Sequence, residues 1–383
     1  MKLDELYQIK DKQFFIIMQS EFLYKVALSL IHGIGSINAK KLIAFFGSVE
    51  AVFEAKKKDL LRIQGIGTIL ASEILNTDVL KRAEKEIAFA EKHGIKILFF
   101  LDDDYPLRLK HCDDAPIVLY HKGQLSLNHQ KIVSIVGTRN ATRYGKENCN
   151  ELIKALKENG HNPLIVSGLA YGADICAHQS ALKNNLPTVA VLGHGLQTIY
   201  PAAHKKIAEE MLESGGLITE FNSTAALDPS NFVRRNRIIA GMADVTVVIE
   251  SGKKGGSLIT ANLANSYNRD VLAFPGRIGD KFSSGCNWLI KTNQAALIEN
   301  IDDLEYALGW QKQKKKETVQ KNLFVDLSDD EKRILDAMND EELSIDIIAL
   351  KSQMPMSKVS ALLLNLEFSG MVKSMPGKMY KKT

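Results

Sequence analysis

Between residues 96 and 305, short apolar runs alternate with helical stretches. That alternation points to a doubly wound parallel sheet with helices on both faces. The runs are IKILFF, KIVSIVG, PLIVSG, TVAVLG, LITEF, DVTVVIE and DVLAFPG. Most end in glycine or a small polar residue, which gathers loops at the carboxyl edge of the sheet, where open α/β folds bind ligands. The second run continues as KIVSIVGTRNATRYG over residues 131–145. A dinucleotide site needs G-x-G-x-x-G in that turn, so that bare backbone can meet a pyrophosphate. Here Gly137 is followed by Thr138 and Arg139, which puts a guanidinium at the mouth of the strand.

The flanks read differently. Residues 22–95 carry apolar residues at helical spacing, interrupted by HGIGSINAKKLIAFFG (32–47) and QGIGTILASEIL (64–75). Each has the form of a helix, a G-I-G turn and a new helix. The spacing resembles helix-hairpin-helix motifs, whose turns offer backbone N–H groups to a phosphate; a plain tight interhelical turn is the alternative. The stretch QKQKKKETVQKN (311–322) has the composition of a linker. Beyond it, three short helices, with Ser328, Ser344 and Ser357 as N-caps, and a basic hairpin resemble a winged helix. The expected organisation is a helical domain over 1–95, a Rossmann-like domain over 96–310, a linker over 311–325 and a winged-helix-like domain over 326–383.

Composition excludes several classes. With 45% apolar and 25% charged residues, the chain is of ordinary globular make-up, and 383 residues suit two or three domains. It lacks a run of about 18 uncharged apolar residues and a signal-peptide pattern at its start, so a cytoplasmic protein without membrane contact is expected. Cys112, Cys149, Cys176 and Cys286 lie far apart, with no C-x-x-C pair, so neither a disulfide framework nor a zinc site is expected. A net charge of +4 permits an anionic partner without requiring one.

Four more segments share the character of the Arg139 turn: SGLAYGADICAHQSAL (167–182), GHGLQTIYPAAHKK (193–206), PSNFVRRNRIIAG (229–241) and GKKGGSLITANLA (252–264). Glycine lets backbone approach a ligand, serine donates to anionic oxygens, and arginine forks onto phosphate. The candidate contacts are Gly137, Thr138 and Arg139 in the first segment, and Ser167 and Gly168 in the second. Lys205 belongs to the third, Phe232, Arg235, Asn236 and Arg237 to the fourth, and Lys254, Gly256 and Ser257 to the fifth.

The order and wording of these segments resemble the DprA/Smf family, the DNA-processing proteins of natural transformation. The matches are G-T-R-x-x-T-x-Y-G at 137–145, S-G-L-A-x-G-x-D-x-x-A-H at 167–178 and Y-P at Tyr200 and Pro201. They continue with F-x-x-R-N-R-I-I-A-G at 232–241, G-S-L-I-T-A at 256–261 and F-P-G at 274–276. DDDYPLRLKHCDDAPIVLYHKG upstream and GCNWLI downstream fit as well, so the likeness spans about 200 residues in order. It implies an extended Rossmann-like domain that binds single-stranded DNA and helps load the RecA recombinase, usually as a homodimer. It implies no catalytic residues, no cofactor and no metal. Arg139, Arg235 and Arg237 match positions that hold strand phosphates, and Phe232 matches a base-stacking position. Two residues depart from the pattern. Tyr171 stands where many members carry arginine, and Ala202 follows Tyr200 and Pro201 where some carry lysine, a charge that Lys205 or Lys206 could replace.

Internal roles remain open for several of these residues. Arg237 could pair with Asp244 or Glu220, and Phe232 could be core. His178 reads as a structural hydrogen-bonding residue, and Asp174 as a brace for GLAYGAD. One alternative function is a nucleotide hydrolase of the lysine-decarboxylase-like Rossmann group. That group resembles P-G-G-x-G-T-x-x-E, and this chain has Leu258, Ile259 and Thr260 after its glycines, with no carboxylate. A double-stranded DNA regulator would need a basic recognition helix, and SKVSALLLNLEFSG offers only Lys358.

Overall fold

A computed structural model describes residues 21–312, 327–339, 341–375 and 378–382. The chain divides into two compact units, one up to residue 313 and one from 314 onward. Most of the linker expected over 311–325 lies outside the described residues.

The first unit is built on nine strands: β1 (Lys96–Phe99), β2 (Val118–Gly123), β3 (Ile132–Val136), β4 (Leu164–Ser167), β5 (Thr188–Val191), β6 (Gly216–Thr219), β7 (Val245–Val248), β8 (Asp270–Ala273) and β9 (Ala296–Leu297). Their spatial order is β1-β2-β6-β5-β4-β3-β7-β8-β9. The seven strands from β3 to β9 pair in parallel. At one edge β2 runs antiparallel to β6, and β1 antiparallel to β2, which corrects the purely parallel expectation there.

Why the apolar runs sit centrally is plain from β3, which is buried along its whole length. Ile132 and Val136 enter one core, while Val133 and Ile135 enter the core on the opposite face. A strand covered on both faces must be apolar at every position rather than at alternate ones. The exception, Ser134, donates to the Thr246 hydroxyl directly across on β7 (2.7 Å).

The N-terminal helices pack on the antiparallel edge and share a core with Phe99, Val118 and Tyr120. Both G-I-G turns start a helix without a side-chain cap, at Gly35 before Ser36–Phe46 and at Gly67 before Thr68–Ile74. The turns cross-pack: a Cβ at Gly33 would lie 2.9 Å from Leu70 Cδ2, and one at Gly65 3.1 Å from Asn38 Oδ1. Buried Glu86 on the helix Asp78–Lys92 accepts from the Ser223 N–H (2.8 Å) and hydroxyl (2.6 Å), fastening the helices to the loop after β6.

The second unit has helices Asp329–Met338, Ile345–Ser352 and Met356–Phe368 with strands β10 (Leu343–Ser344), β11 (Val372–Met375) and β12 (Met379–Lys382), in the order β10-β12-β11. This is the winged-helix arrangement that the sequence leads one to expect. Ser328 forms a capping box with Glu331, and Ser344 accepts from the Ile347 N–H (3.4 Å). Ser357 is not an N-cap, because the third helix starts one residue earlier, behind Pro355, whose fixed φ of −61° suits that position. Among the described residues no helix is long and apolar enough to cross a membrane.

Candidate nucleic-acid interface

β3 has β4 on one side and β7 on the other, so the chain's order reverses between β3 and β7. Loops leaving two such strands diverge and open a crevice. Here the crevice lies between the turn after Val136 and the turn after Val248. The ladder runs one step past the strands, with the Thr138 N–H donating to the Glu250 carbonyl (2.8 Å). The buried Glu250 carboxylate then takes the Thr142 N–H (2.8 Å) and hydroxyl (2.6 Å). Thr142 in turn caps the helix Arg143–Glu158. Residues 138–142 are thus pinned at both ends, and Arg139, between the pins, is exposed. Among the described residues its guanidinium has no hydrogen-bond or ion-pair partner. Gly172 makes room for this turn. Its φ of +79° suits glycine, and a Cβ there would lie 2.2 Å from the Thr138 carbonyl oxygen.

Beside Arg139 is a small cavity of about 190 Å³, lined by Tyr171, Gly193, Tyr200, Pro201, Phe232 and Arg235 among others. Phe232 is half-buried and belongs to none of the apolar cores. Its ring stands 5.9 Å from that of Tyr200 at 55°, and Gly193 backs it, since a Cβ there would lie 2.9 Å from Phe232 Cδ1. Tyr171 is 52% exposed and meets His204 edge-on at 4.7 Å, so an aromatic face occupies this rim. Arg235 forms the cavity floor. Its side chain is buried with Asp174, at 3.6 Å, and its Nε has no partner among the described residues. Burial lowers the Arg235 pKa and raises that of Asp174, each opposed by attraction to the other. Gly168 makes the pair fit, because a Cβ there would lie 2.0 Å from Arg235 Nη2 and 2.3 Å from Asp174 Oδ2. Asp174 also accepts from the Ala170 N–H (3.3 Å), as the bracing role requires.

Other expected contacts lie inside the domain. Arg237 is buried; it pairs with Glu220 (2.5 Å) and donates to the Asp114 carbonyl, so its guanidinium is not presented to a phosphate. Asp244, the other partner considered for it, is taken by Arg108 (2.6 Å). Ser167 is fully buried, and its hydroxyl donates to the Ile135 carbonyl (2.6 Å). Ser257 is buried and donates to the Ser251 hydroxyl (2.9 Å). His178 is buried too, with Nε2 at 2.5 Å from the Gly168 carbonyl and Nδ1 at 2.7 Å from the Thr188 hydroxyl.

On the β7 side, Lys254 is exposed and Gly256 begins the helix Gly256–Ser266 behind Gly255, with no side-chain cap. Gly137 lies against Ala173 and Glu250, where a Cβ would be 2.6 Å from Ala173 Cβ, so the Thr138 turn sits tight on the sheet edge. A cleft joins Thr138 to Lys253, Lys254 and Lys281. Asn236 only touches this region, through the Gly256 carbonyl at 3.5 Å. Lys205 is exposed on the helix Lys205–Ser214 and faces Glu209 at 3.9 Å. The structure therefore gathers Arg139, Phe232 and Lys254 along one edge, holds Arg235 buried on Asp174 beneath the cavity, and withdraws Arg237, Ser167 and Ser257. Glu250, which organises the edge, went unnoticed in the sequence. Its signal was a carboxylate closing the run VTVVIE, two residues past the end of a buried strand.

The chain matches the family model of DNA recombination-mediator protein A over residues 96–309, more than half its length. The chain belongs to the DprA/Smf family. Flanking matches are to the DprA winged helix domain (325–378) and to a helix-hairpin-helix motif (25–81). Protein Smf of Synechocystis is 32% identical over 95% of this chain and 99% of its own. Protein Smf of Escherichia coli is 33% identical over 78% and 80%. The X-ray structure of DNA processing protein A from Streptococcus pneumoniae superposes with a TM-score of 0.62 at 31% identity, covering 74% of this chain and 97% of that one. DNA processing protein A from Helicobacter pylori, described for its single-stranded DNA binding mode, superposes with a TM-score of 0.50 at 30% identity over 56% and 95%.

Proposed function

We propose that the carboxyl edge of the sheet holds single-stranded DNA, largely without regard to sequence, and that the bound strand is offered to the RecA recombinase during natural transformation. The observation that carries this reading is Arg139. It is an exposed guanidinium without a partner among the described residues, fixed at the strand-order reversal between an aromatic cavity and a lysine-bearing turn. A cation at that point neutralises a backbone phosphate, and Phe232 and Tyr200 offer ring faces to a base. Phosphates and π-faces recur at every nucleotide, so such a site has no means of reading sequence. The likeness to the Helicobacter pylori protein supports single strands as the ligand. In this reading the protein acts as a homodimer and as a binding protein, with no chemical step.

Fluorescence anisotropy with labelled single-stranded and duplex DNA of equal length tests the proposal. The single strand should bind at least about tenfold more tightly. Changing its base composition should shift affinity by much less than that. Equal or tighter duplex binding overturns the reading. The RecA step is tested separately, by whether the protein speeds RecA's DNA-dependent ATP hydrolysis on a strand already covered by a single-strand-binding protein.

A further inference from the structure

The four cysteines lie far apart in the sequence, yet folding brings two of them together. Cys149 is fully buried in the helix Arg143–Glu158, and Cys176 is 8% exposed in the first turn of the helix Ala173–Lys183. Cys176 Sγ lies 3.8 Å from the Lys146 carbonyl and 3.6 Å from Asn150 Oδ1, two residues that bracket Cys149 on the facing helix. The two sulfurs therefore meet across the helix pair, within hydrogen-bonding reach and not bonded to each other. Cys176 also lines a cleft of about 460 Å³ whose walls carry Arg139 and Lys146 and, among the described residues, no carboxylate. The bond that Cys149 donates to it, helped by Lys146, lowers the Cys176 pKa against the effect of burial, while that same bond and burial raise the Cys149 pKa. A partly exposed thiol in an electropositive cleft, with a second thiol behind it, is the arrangement that oxidants select. The two helices also begin on either side of the Arg139 turn. Thr142 caps the first, and the second starts behind Gly172, with its Ala173 N–H donating to the Thr138 carbonyl (3.1 Å).

We propose that Cys176 is a peroxide-sensitive thiol with Cys149 as its resolving partner, and that the disulfide they form is a reversible switch on single-strand binding. The Cys176 thiolate attacks one oxygen of hydrogen peroxide; the O–O bond breaks, and the leaving hydroxide takes up a proton as water. Cys149 sulfur then attacks the Cys176 sulfenic acid, the S–S bond forms as the S–O bond breaks, and a second water carries off the Cys149 proton. Two thiols have lost two electrons and two protons, and one peroxide has become two waters. An S–S bond of about 2.05 Å is shorter than any non-bonded sulfur contact, so the two helices must draw together. The turn between them has no slack, because Gly172 meets the Thr138 and Arg139 backbone too closely for any Cβ. Closing the helices therefore displaces Arg139. The switch rests on the reading of the edge as a single-strand site; the bond itself does not.

The test treats the reduced full-length protein with hydrogen peroxide, alkylates the remaining thiols under denaturing conditions and maps the peptides by mass. One disulfide should join the peptides of Cys149 and Cys176, with a loss of about 2 Da. Cys112 and Cys286, whose thiol pKa values burial pushes up to about 11 and about 12, should be recovered alkylated. Oxidation should weaken oligothymidine binding roughly tenfold, the loss of one charge-assisted phosphate contact, and dithiothreitol should restore it. Cys149→Ala should leave Cys176 as a sulfenic acid that dimedone traps, and Cys176→Ser should abolish both the bond and the sensitivity to peroxide. A wild-type map without the Cys149–Cys176 bond overturns the proposal. So does an oxidised protein that binds as tightly as the reduced one, or a loss of affinity that dithiothreitol does not reverse. These outcomes are read on the unaltered chain, so none depends on a variant folding. If the reduced wild type binds no single strand, it is the single-strand reading that fails, and the mass map still decides the bond.

Discussion

Arg139 and Arg237 show how two residues of one type, both in basic motifs, divide their labour by surroundings. Arg139 is exposed and unpartnered among the described residues; Arg237 is buried on Glu220. An exposed cation costs the fold nothing to remove, but it takes a released counterion with it. Arg139→Ala should lower affinity for single strands of any sequence, and flatten the slope of log K against log salt by about 0.7. Its melting temperature should not move. Removing Arg237 leaves the Glu220 carboxylate buried with, among the described residues, only Arg234, at 2.6 Å, to compensate. Arg237→Ala should cost roughly 3 kcal/mol of stability, with an unchanged salt slope among the folded molecules. Titrations at five salt concentrations beside a thermal melt separate the two, and a lowered melting point with an unchanged slope for Arg139→Ala would remove it from the phosphate track.

At the scale of elements, His178 joins three pieces of the edge: the helix Ala173–Lys183 that carries it, the Gly168 turn after β4, and Thr188 at the start of β5. Burial pushes its pKa down to about 4, and burial does the same to His121 on β2. An unfolded histidine titrates near ~6.5. Below that pH the unfolded chain binds protons that the folded chain refuses. Each histidine thus contributes stability that is present above about pH 6.5 and lost as pH falls toward 4, up to about 3 kcal/mol. Between pH 5 and 6.5 the wild type should lose stability steeply, and His178→Gln should lose about 1.4 kcal/mol per pH unit less. Denaturant melts across that range check it; parallel slopes for the two proteins would show that His178 is not the titrating group. The elements were legible where burial is two-sided, because a wholly apolar run ending in glycine marks a central strand. β2 and two-residue β9 did not stand out as strands, and an apolar run carries no sign of its direction, so the antiparallel edge was hidden. Arg139 was legible from its place one residue past the strand-ending turn. Arg237's partner was narrowed to Asp244 or Glu220, of which folding takes Glu220, and the partner of Arg235 was not legible, because a cation's sequence neighbourhood does not say which distant carboxylate folding brings to it.

The whole molecule is two compact units of unequal size, and the proposed strand site at the sheet edge lies wholly on the larger. That assignment has a thermodynamic consequence. Unfolding enthalpy scales with chain length, at about 0.7 kcal/mol per residue near 60 °C, so in calorimetry of the full chain the larger transition belongs to the residues up to 313. A ligand stabilises only the unit it binds. Oligothymidine at a hundred times its Kd adds about 2.7 kcal/mol to that unit. The large transition should therefore rise by roughly 5 °C. The small one should stay where it is, since the winged-helix unit presents Lys358 as the one cation of its third helix and commits it to Asp330 at 2.6 Å. The two transitions separate the alternatives without dissecting the protein. Movement of the small transition alone would place the strand on the winged-helix unit and remove the sheet edge as the binding site. Movement of both would mean that the strand engages both units, and that the edge around Phe232 and Arg139 is only part of the footprint.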